Sequence, residues 1–103
     1  MNLSPLHVAG WEGVPDTVAF LLTLAPELRA VNAYGCDALD TTIHGAEHCP
    51  NAGTPGRDHI RCAALLLEAG APLRRADIDG TGAQDMALFL EDWAEQHPDQ
   101  VID

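Results

Sequence analysis

The chain has 103 residues, a length that suits a single domain, and it carries five arginines, no lysine and sixteen carboxylates for a formal charge of −11. Proteins that bind nucleic acids neutralise phosphates with a basic surface, so this balance excludes nucleic acid as a partner by that route. The same sign of charge excludes attraction to an anionic membrane. Apolar residues make up 47% of the chain, which predicts a folded globular protein.

The cysteines and the distribution of acids refine this expectation. Three cysteines are too few, and odd in number, for a disulfide framework, so reduced thiols are expected. No apolar run approaches the ~20 residues of a membrane span, and the first residues lack the pattern of a secretion signal, so a cytoplasmic location is expected. Eight acids and no basic residue fall between Asp77 and Asp103, which places most of the acidity in the C-terminal quarter.

Caps and helical spacing predict the first two helices. Ser4 followed by Pro5 is typical of a helix start, and this helix is expected to end at Gly13. A second helix is predicted to begin near Pro15 and to end before Pro26. Its apolar face is predicted to contain Val18, Leu21 and Leu22, which have the spacing of one helical side.

The next two helices are predicted from similar signals. Asp37 is the expected cap of a third helix, and Asp40 lies in its first turn, where the helix dipole favours an acid. The stretch 45–56 is rich in Gly, Pro and Asn and is predicted to be a loop. A fourth helix over about 58–69 is predicted to end at Gly70 and to bury Ile60, Ala63, Leu66 and Leu67.

The chain is also internally repetitive. Gly35 and Gly80 occupy equivalent positions in two similar segments and are 45 residues apart. The predicted cap residues Ser4 and Asp37 are also equivalent, but they are 33 residues apart. The difference of 12 residues matches the length of the 45–56 loop, so a unit of about 33 residues with an insertion is indicated. Gly35 and Gly80 are expected to occupy turns with positive φ, which glycine tolerates.

Two motifs resemble those of ankyrin repeats. The segment Ser4-Pro5-Leu6-His7-Val8-Ala9 is similar to the family signature T-P-L-H-x-A, and Leu65–Ala71 (L-L-L-E-A-G-A) is similar to L-L-L-E-x-G-A. The resemblance covers about residues 2–97. It implies an all-α solenoid of stacked helix-turn-helix units in one domain over 1–103, with units 2–34, 35–79 and 80–103 and an insertion at 45–56.

The resemblance also implies structural roles. His7 is expected to hydrogen-bond to the helix cap Ser4 and to the neighbouring unit. Asp40 and Asp85 are expected to occupy the equivalent position in the later units and to play the same structural role. The third unit departs from the family pattern, and its long acid-rich last helix is expected to act as the C-terminal cap. The residues assigned to structure in this way are Ser4, His7, Gly35, Asp37, Asp40 and Gly80.

Ankyrin proteins usually bind partners on their concave side, so the resemblance implies a non-enzymatic protein–protein interaction module. Carried over position by position, the candidate partner-binding residues are Trp11, Glu12, Ala33, Tyr34, Cys36, His44, Ile78, Asp79, Thr81 and Phe89. Aromatic residues in such a set are typical interface anchors. The acidity favours a basic partner.

Two alternatives concern apolar surfaces. In one, Trp11 and Phe89 turn inward and the long loop covers the concave side. In the other, the N-terminal unit lacks a preceding cap, so its apolar flank is expected to mediate self-association or docking. The residues assigned to this flank are Leu3, Leu6 and Phe20.

Two other functions remain open at this point. His44, His48, Cys49 and His59 are candidate metal ligands, but with Cys62 they fit no standard zinc spacing, and Cys62 falls at a buried helical position. The acidic surface also fits an inhibitor that occupies a basic, nucleic-acid-binding protein. No nucleotide-binding or hydrolase motif is present, so neither an enzyme nor a cofactor is expected.

Overall fold

Six α-helices dominate residues 4–102, which are the part of the chain that the structure, a computed structural model, describes. They are α1 (Pro5–Glu12), α2 (Pro15–Leu22), α3 (Ala38–His48), α4 (His59–Glu68), α5 (Arg75–Gly80) and α6 (Gln84–Gln96). A 3-10 turn, Pro98–Gln100, follows α6. Two short strands, β1 (Leu73–Arg74) and β2 (Val101–Ile102), pair in parallel. The fold is therefore mostly helical, as the sequence predicted.

The first helix has the predicted ends. The Ser4 hydroxyl accepts a hydrogen bond from the His7 backbone N–H, and Pro5 occupies the first position of α1. Gly13 ends α1 in the left-handed region at φ 71°, and its N–H bonds back to the carbonyl of Ala9. These local signals were enough to fix both boundaries.

The third helix is longer than predicted. Asp37 and Asp40 form a reciprocal capping box at its start, but α3 continues to His48. The prediction of a loop over 45–56 is therefore wrong for its first four residues. Gly45 allows α1 to lie close, since a Cβ there would come within 2.9 Å of the Trp11 Cα atom.

The two turn glycines behave differently. Gly35 has φ 78°, as predicted, and Gly70 has φ 103° after α4. Gly80 is the last residue of α5 and is not among the positive-φ glycines, so its predicted turn is wrong. Ile78 explains the difference, because one helical turn at Arg75–Gly80 brings its side chain into the core.

One core connects the six helices. Helix α1 packs mainly on α3 and α2 packs on α4, while α3 and α4 pack on each other. The predicted face of α4 lies inward, although its Ile60 is only half-buried, and the acids of α6 lie outward. Fully buried large side chains come from α2, α3, α4, β1 and α6: Val18, Leu39, Ile43, Leu66, Leu67, Leu73, Met86 and Leu90. Among residues 4–102, no helix has the length and apolarity that crossing a membrane requires.

Candidate partner-binding groove

An open groove of about 730 Å³ lies between α1 and the segment that leads into α3. Its volume is in the range typical of ligand-binding sites. It is lined by His7, Val8, Trp11, Asn32, Tyr34, Cys36, Thr41 and His44. The structure thus brings together four of the predicted partner-binding residues, namely Trp11, Tyr34, Cys36 and His44.

His7 fixes the base of the groove. Its ring is buried, with Nδ1 2.5 Å from the Ser4 hydroxyl oxygen and Nε2 3.0 Å from the Cys36 carbonyl oxygen. Because a carbonyl only accepts hydrogen bonds, Nε2 carries the proton, and the Ser4 hydroxyl donates to Nδ1. His7 therefore holds the connection between α2 and α3 against α1, which is the link that the ankyrin resemblance implied.

Tyr34 is presented to solvent by a tight turn. The Asn32 side-chain oxygen accepts hydrogen bonds from the backbone N–H groups of Tyr34 at 2.9 Å and Cys36 at 3.1 Å. Gly35 supplies the positive φ that this turn needs. The Tyr34 residue is 86% exposed, so a large aromatic ring stands at the rim of the groove without packing against the fold.

The 49–58 loop packs elsewhere. The Glu12 carboxylate accepts hydrogen bonds from Arg57 at 2.7 Å and from Asn51 at 3.0 Å, and Arg57 also donates to the Glu12 carbonyl. The bonds from Asn51 and Arg57 lower the pKa of Glu12. Within residues 4–102, no residue of this loop lines the groove. The alternative in which the loop covers the predicted surface is wrong for the groove.

The other predicted partner-binding residues do not line the groove; they are Glu12, Ala33, Ile78, Asp79, Thr81 and Phe89. Ile78 is buried, at 2% exposure, so its assignment to a binding surface is wrong. Phe89 is half-buried beside Trp93, with ring centroids 6.3 Å apart, so this ring does turn partly inward. Ala33 and Asp79 are exposed outside the groove.

A second, smaller pocket of about 180 Å³ shares His44 with the groove. It is lined by Ile43, His44, Glu47, His48, Ala76, Asp77, Gly80 and Thr81. Glu47 is held at the wall because it accepts a hydrogen bond from the Gly82 backbone N–H at 2.6 Å. Sequence reasoning missed Glu47, although its position three residues after His44 places both on one side of a helix. It also missed Asp77, because α5 was not predicted.

Three aspartates share one guanidinium beneath this pocket. Arg74 donates to Asp37 Oδ2 at 3.1 Å and to Asp40 Oδ2 at 2.9 Å. The Asp77 carboxyl lies against that of Asp40, and Asp40 Oδ1 and Asp77 Oδ2 are both buried without a hydrogen-bond partner in the described chain. Burial and the contact with Asp77 raise the pKa of Asp40 to about 6. Two touching carboxyls share one proton more readily than they both ionise.

The four candidate metal ligands do not meet. His59 is buried, and its Nε2 lies 2.7 Å from the Trp11 carbonyl oxygen, while the Cys49 thiol faces Glu12 at 3.8 Å. His44 and His48 share α3, with ring centroids 6.4 Å apart. Residues 4–102 contain no group of three or more His, Cys, Asp or Glu side chains arranged for a metal ion. The metal hypothesis therefore has no preformed site in this part of the chain.

Two of the three cysteines have thiols with a raised pKa. Burial raises the pKa of Cys62 to about 12, which suits the buried packing role that its position predicted. Burial and the carboxyl of Asp40 raise the pKa of the Cys36 thiol at the groove wall. The thiolate is the nucleophilic form, so these two cysteines are poor nucleophiles.

The predicted N-terminal flank is smaller than expected. Leu3 lies outside the described residues, and Leu6 is buried in the core, so its assignment to an exposed flank is wrong. Phe20 is 63% exposed, and Leu24 beside it is 64% exposed. The remaining apolar surface therefore lies on and just after α2.

Comparison with known proteins adds no relative. No protein family, no curated protein and no solved structure matches this chain. The resemblance to ankyrin repeats therefore rests on the two sequence motifs. The geometry of the groove and pocket is the basis for assigning a function.

Proposed function

We propose that this protein is a non-enzymatic interaction module of the ankyrin-repeat type, which binds another protein through the groove. The observation that carries the proposal is the exposed Tyr34 ring beside Trp11 at an apolar groove of about 730 Å³. Large aromatic side chains with little conformational freedom are typical anchors of protein interfaces. The groove is built on the paired helices α1 and α3, so its shape is largely preformed.

The arrangement of the helices supports a repeat architecture. The α1–α2 pair and the α3–α4 pair each begin at a side-chain cap, and α1 packs on α3 while α2 packs on α4. Stacked repeats make such like-with-like contacts, and each unit needs its neighbour to bury its apolar face. The buried His7, which connects successive units, supports the same interpretation.

Charge and thiols support a cytoplasmic protein with a basic partner. The formal charge is −11, and two of the five arginines, Arg57 and Arg74, are already paired with carboxylates. An acidic surface speeds encounter with a basic protein, most strongly at low salt. Three cysteines without a disulfide suit a reducing compartment.

The experiment is affinity capture from extract of the source cell, followed by mass spectrometry. We expect a protein that is retained by the natural chain to be lost at least tenfold with Tyr34→Ala and with the double variant Trp11→Ala/Tyr34→Ala. The exposed Tyr34 makes no packing contact, so its single variant should keep the fold, as circular dichroism would check.

A variant away from the groove gives the matched control. Leu88→Ser removes an exposed apolar side chain from α6 and should retain the partner. Equal capture by the natural chain and by both groove variants would reject the groove as the binding site.

The surface around Phe20 also has a specific test. Its exposed apolar residues suit contact between copies or with another chain. Light scattering at high protein concentration distinguishes self-association from docking of another chain, because a strictly monomeric chain rules out self-association. Phe20→Ser/Leu24→Ser should abolish any dimer that is seen.

A further inference from the structure

The groove and the smaller pocket offer two different chemistries side by side. Val8, Trp11 and Tyr34 give the groove apolar and aromatic walls, whereas the pocket contains the carboxylates of Glu47 and Asp77. The two concavities meet at His44. A ligand that fills both must therefore present an apolar group next to a group that suits carboxylates.

The pocket has no permanently charged cation of its own. No lysine or arginine lines the groove or the pocket in the described chain, and the side chain nearest to the Glu47 carboxylate is that of His48, with Nε2 3.5 Å from Oε2. Arg74, which reaches this region from β1, already binds both Asp37 and Asp40. Asp77 also lies near this guanidinium, so three carboxyl groups face a single cation, which leaves the site short of positive charge.

Two buried oxygen atoms show this shortage directly. Asp40 Oδ1 and Asp77 Oδ2 have no hydrogen-bond partner in residues 4–102, and the Asp40 side chain is only 9% exposed. Negative charge near low-dielectric protein acts strongly on a cation nearby. A cation in the pocket would therefore be stabilised by Glu47 and Asp77, which line it.

We propose that the site receives a peptide segment of the partner in which an apolar side chain neighbours an arginine or lysine. The apolar side chain lies in the groove against Trp11 and Tyr34, and the cation enters the pocket beside Glu47 and Asp77. This inference rests on the proposed function and specifies the chemistry of the partner. A lysine or arginine with its apolar stem suits the passage past His44.

An array of hexapeptides of varied composition, probed with labelled protein at pH 7.5, tests the preference. We expect the peptides bound by the natural chain to be enriched in Arg or Lys next to Leu, Phe or Trp. The best peptide is then remade with citrulline in place of arginine, which keeps the shape and removes the charge. Its affinity, measured by calorimetry, should fall about tenfold.

Variants of the pocket assign the preference to its residues. Glu47→Gln/Asp77→Asn should bind the arginine and citrulline peptides almost equally, because the charge that distinguishes them is gone. Tyr34→Ala should weaken both peptides. Glu91→Gln/Asp92→Asn removes the same charge from the exposed face of α6 and should keep the discrimination. Circular dichroism checks that each variant folds.

The outcomes separate this inference from the proposed function. Peptides that need Tyr34 but show no preference for Arg or Lys would overturn the cationic partner and keep the groove as a binding site. Discrimination that survives Glu47→Gln/Asp77→Asn would overturn the role of the pocket. An array with no groove-dependent peptide would overturn the inference, while affinity capture would still decide the proposed function.

Discussion

The two junctions of this fold are held by different forces. Where α1 meets α4 and the segment before α3, histidine rings bond to backbone carbonyls: His7 to that of Cys36, and the buried His59 to that of Trp11. Where α3 meets α5, the contact is ionic, with Arg74 facing the carboxyls of Asp37, Asp40 and Asp77. Both ring nitrogens of His7 and Nε2 of His59 have hydrogen-bond partners, whereas the second junction leaves two carboxyl oxygens without a donor in residues 4–102.

Because of this difference, we expect the first junction to be rigid and the second to respond to pH and to ligands. Buried side chains that hydrogen-bond to backbone carbonyls fix the geometry of the elements they join. A buried cluster with too little positive charge gains or loses stability when a proton or a cation arrives. We therefore expect mutations at the first junction to destabilise the fold, and mutations at the second to change its response to pH and ligands.

The largest effect is expected for Gly45→Ala. A Cβ at this position would lie 2.9 Å from Trp11 Cα and 3.0 Å from its carbonyl carbon, and backbone cannot move aside cheaply. We expect the free energy of unfolding to fall by about 3 kcal/mol, the upper end of the usual cost of overpacking, because the neighbouring atoms belong to backbone. Urea denaturation followed by circular dichroism measures this change.

Gly80→Ala is the matched control for that prediction. Gly80 is also helical, but an added Cβ meets nothing within 4 Å. Alanine should raise stability there by about 0.5 kcal/mol, since it favours helix over glycine. Equal effects of the two substitutions would show that close approach of α1 and α3 does not hold this junction.

A smaller loss is expected for His7→Ala. The substitution leaves the Cys36 carbonyl and the Ser4 hydroxyl without their partner and opens a cavity at a residue that is 3% exposed. We expect a loss of about 2 to 3 kcal/mol, measured by urea denaturation. Val8→Ala, on the exposed side of the same helix, should cost under ~0.5 kcal/mol. A loss below ~1 kcal/mol for His7→Ala would show that His7 does not hold α1 against the segment before α3.

The first junction was largely predictable because its signals are local. The cap Ser4, the following Pro5 and the end glycine Gly13 act within one helix, and the motif around His7 implied a link to the next unit. Gly45 was misinterpreted for a physical reason. In sequence, a glycine needed for close helix packing looks the same as a glycine in a loop.

The second junction depends on residues that meet only in the folded chain. Arg74 lies 37 residues from Asp37, and no spacing rule connects them. The motif comparison predicted a turn at Gly80, so the buried Ile78 was assigned to the surface and Asp77 was overlooked. Tertiary packing of Ile78 outweighed the local turn signal, and the acidic pocket followed from that unpredicted helix.

Asp77→Asn is expected to change stability in the opposite direction. The raised pKa of Asp40 means that the folded state holds its proton more tightly than the unfolded state. That stabilisation is complete below pH ~4 and is lost as the pH rises to about 6. At pH 7.5 the variant, which can donate its amide to Asp40, should therefore exceed the natural chain by about 1 kcal/mol, because burial, the largest cause of the raised pKa, is unchanged.

The pH dependence of the stability difference distinguishes an effect that acts through the Asp40 carboxyl from a general change in stability. Urea titrations between pH 4 and pH 7.5 should show the two chains converging at the acid end. Asp79→Asn, on the exposed side of the same helix, should follow the natural chain throughout. A constant difference between Asp77→Asn and the natural chain across this range would contradict proton sharing with Asp40.

The smallest effect concerns a neutral contact beside the second junction, between the last turn and α4, and it tests how far the ionic cluster extends. The Gln100 amide donates to the carbonyls of Leu67 at 2.8 Å and Ala71 at 2.7 Å, so it ties the last turn to α4. Gln100→Ala should cost about 1 kcal/mol, equally at pH 4 and pH 7.5, because no charge is involved. Gln96→Ala, which loses only an exposed bond to Asp92, should cost less than half as much. If the cost of Gln100→Ala instead grew with pH, the last turn would belong to the ionic cluster, and the whole second junction would respond to protons.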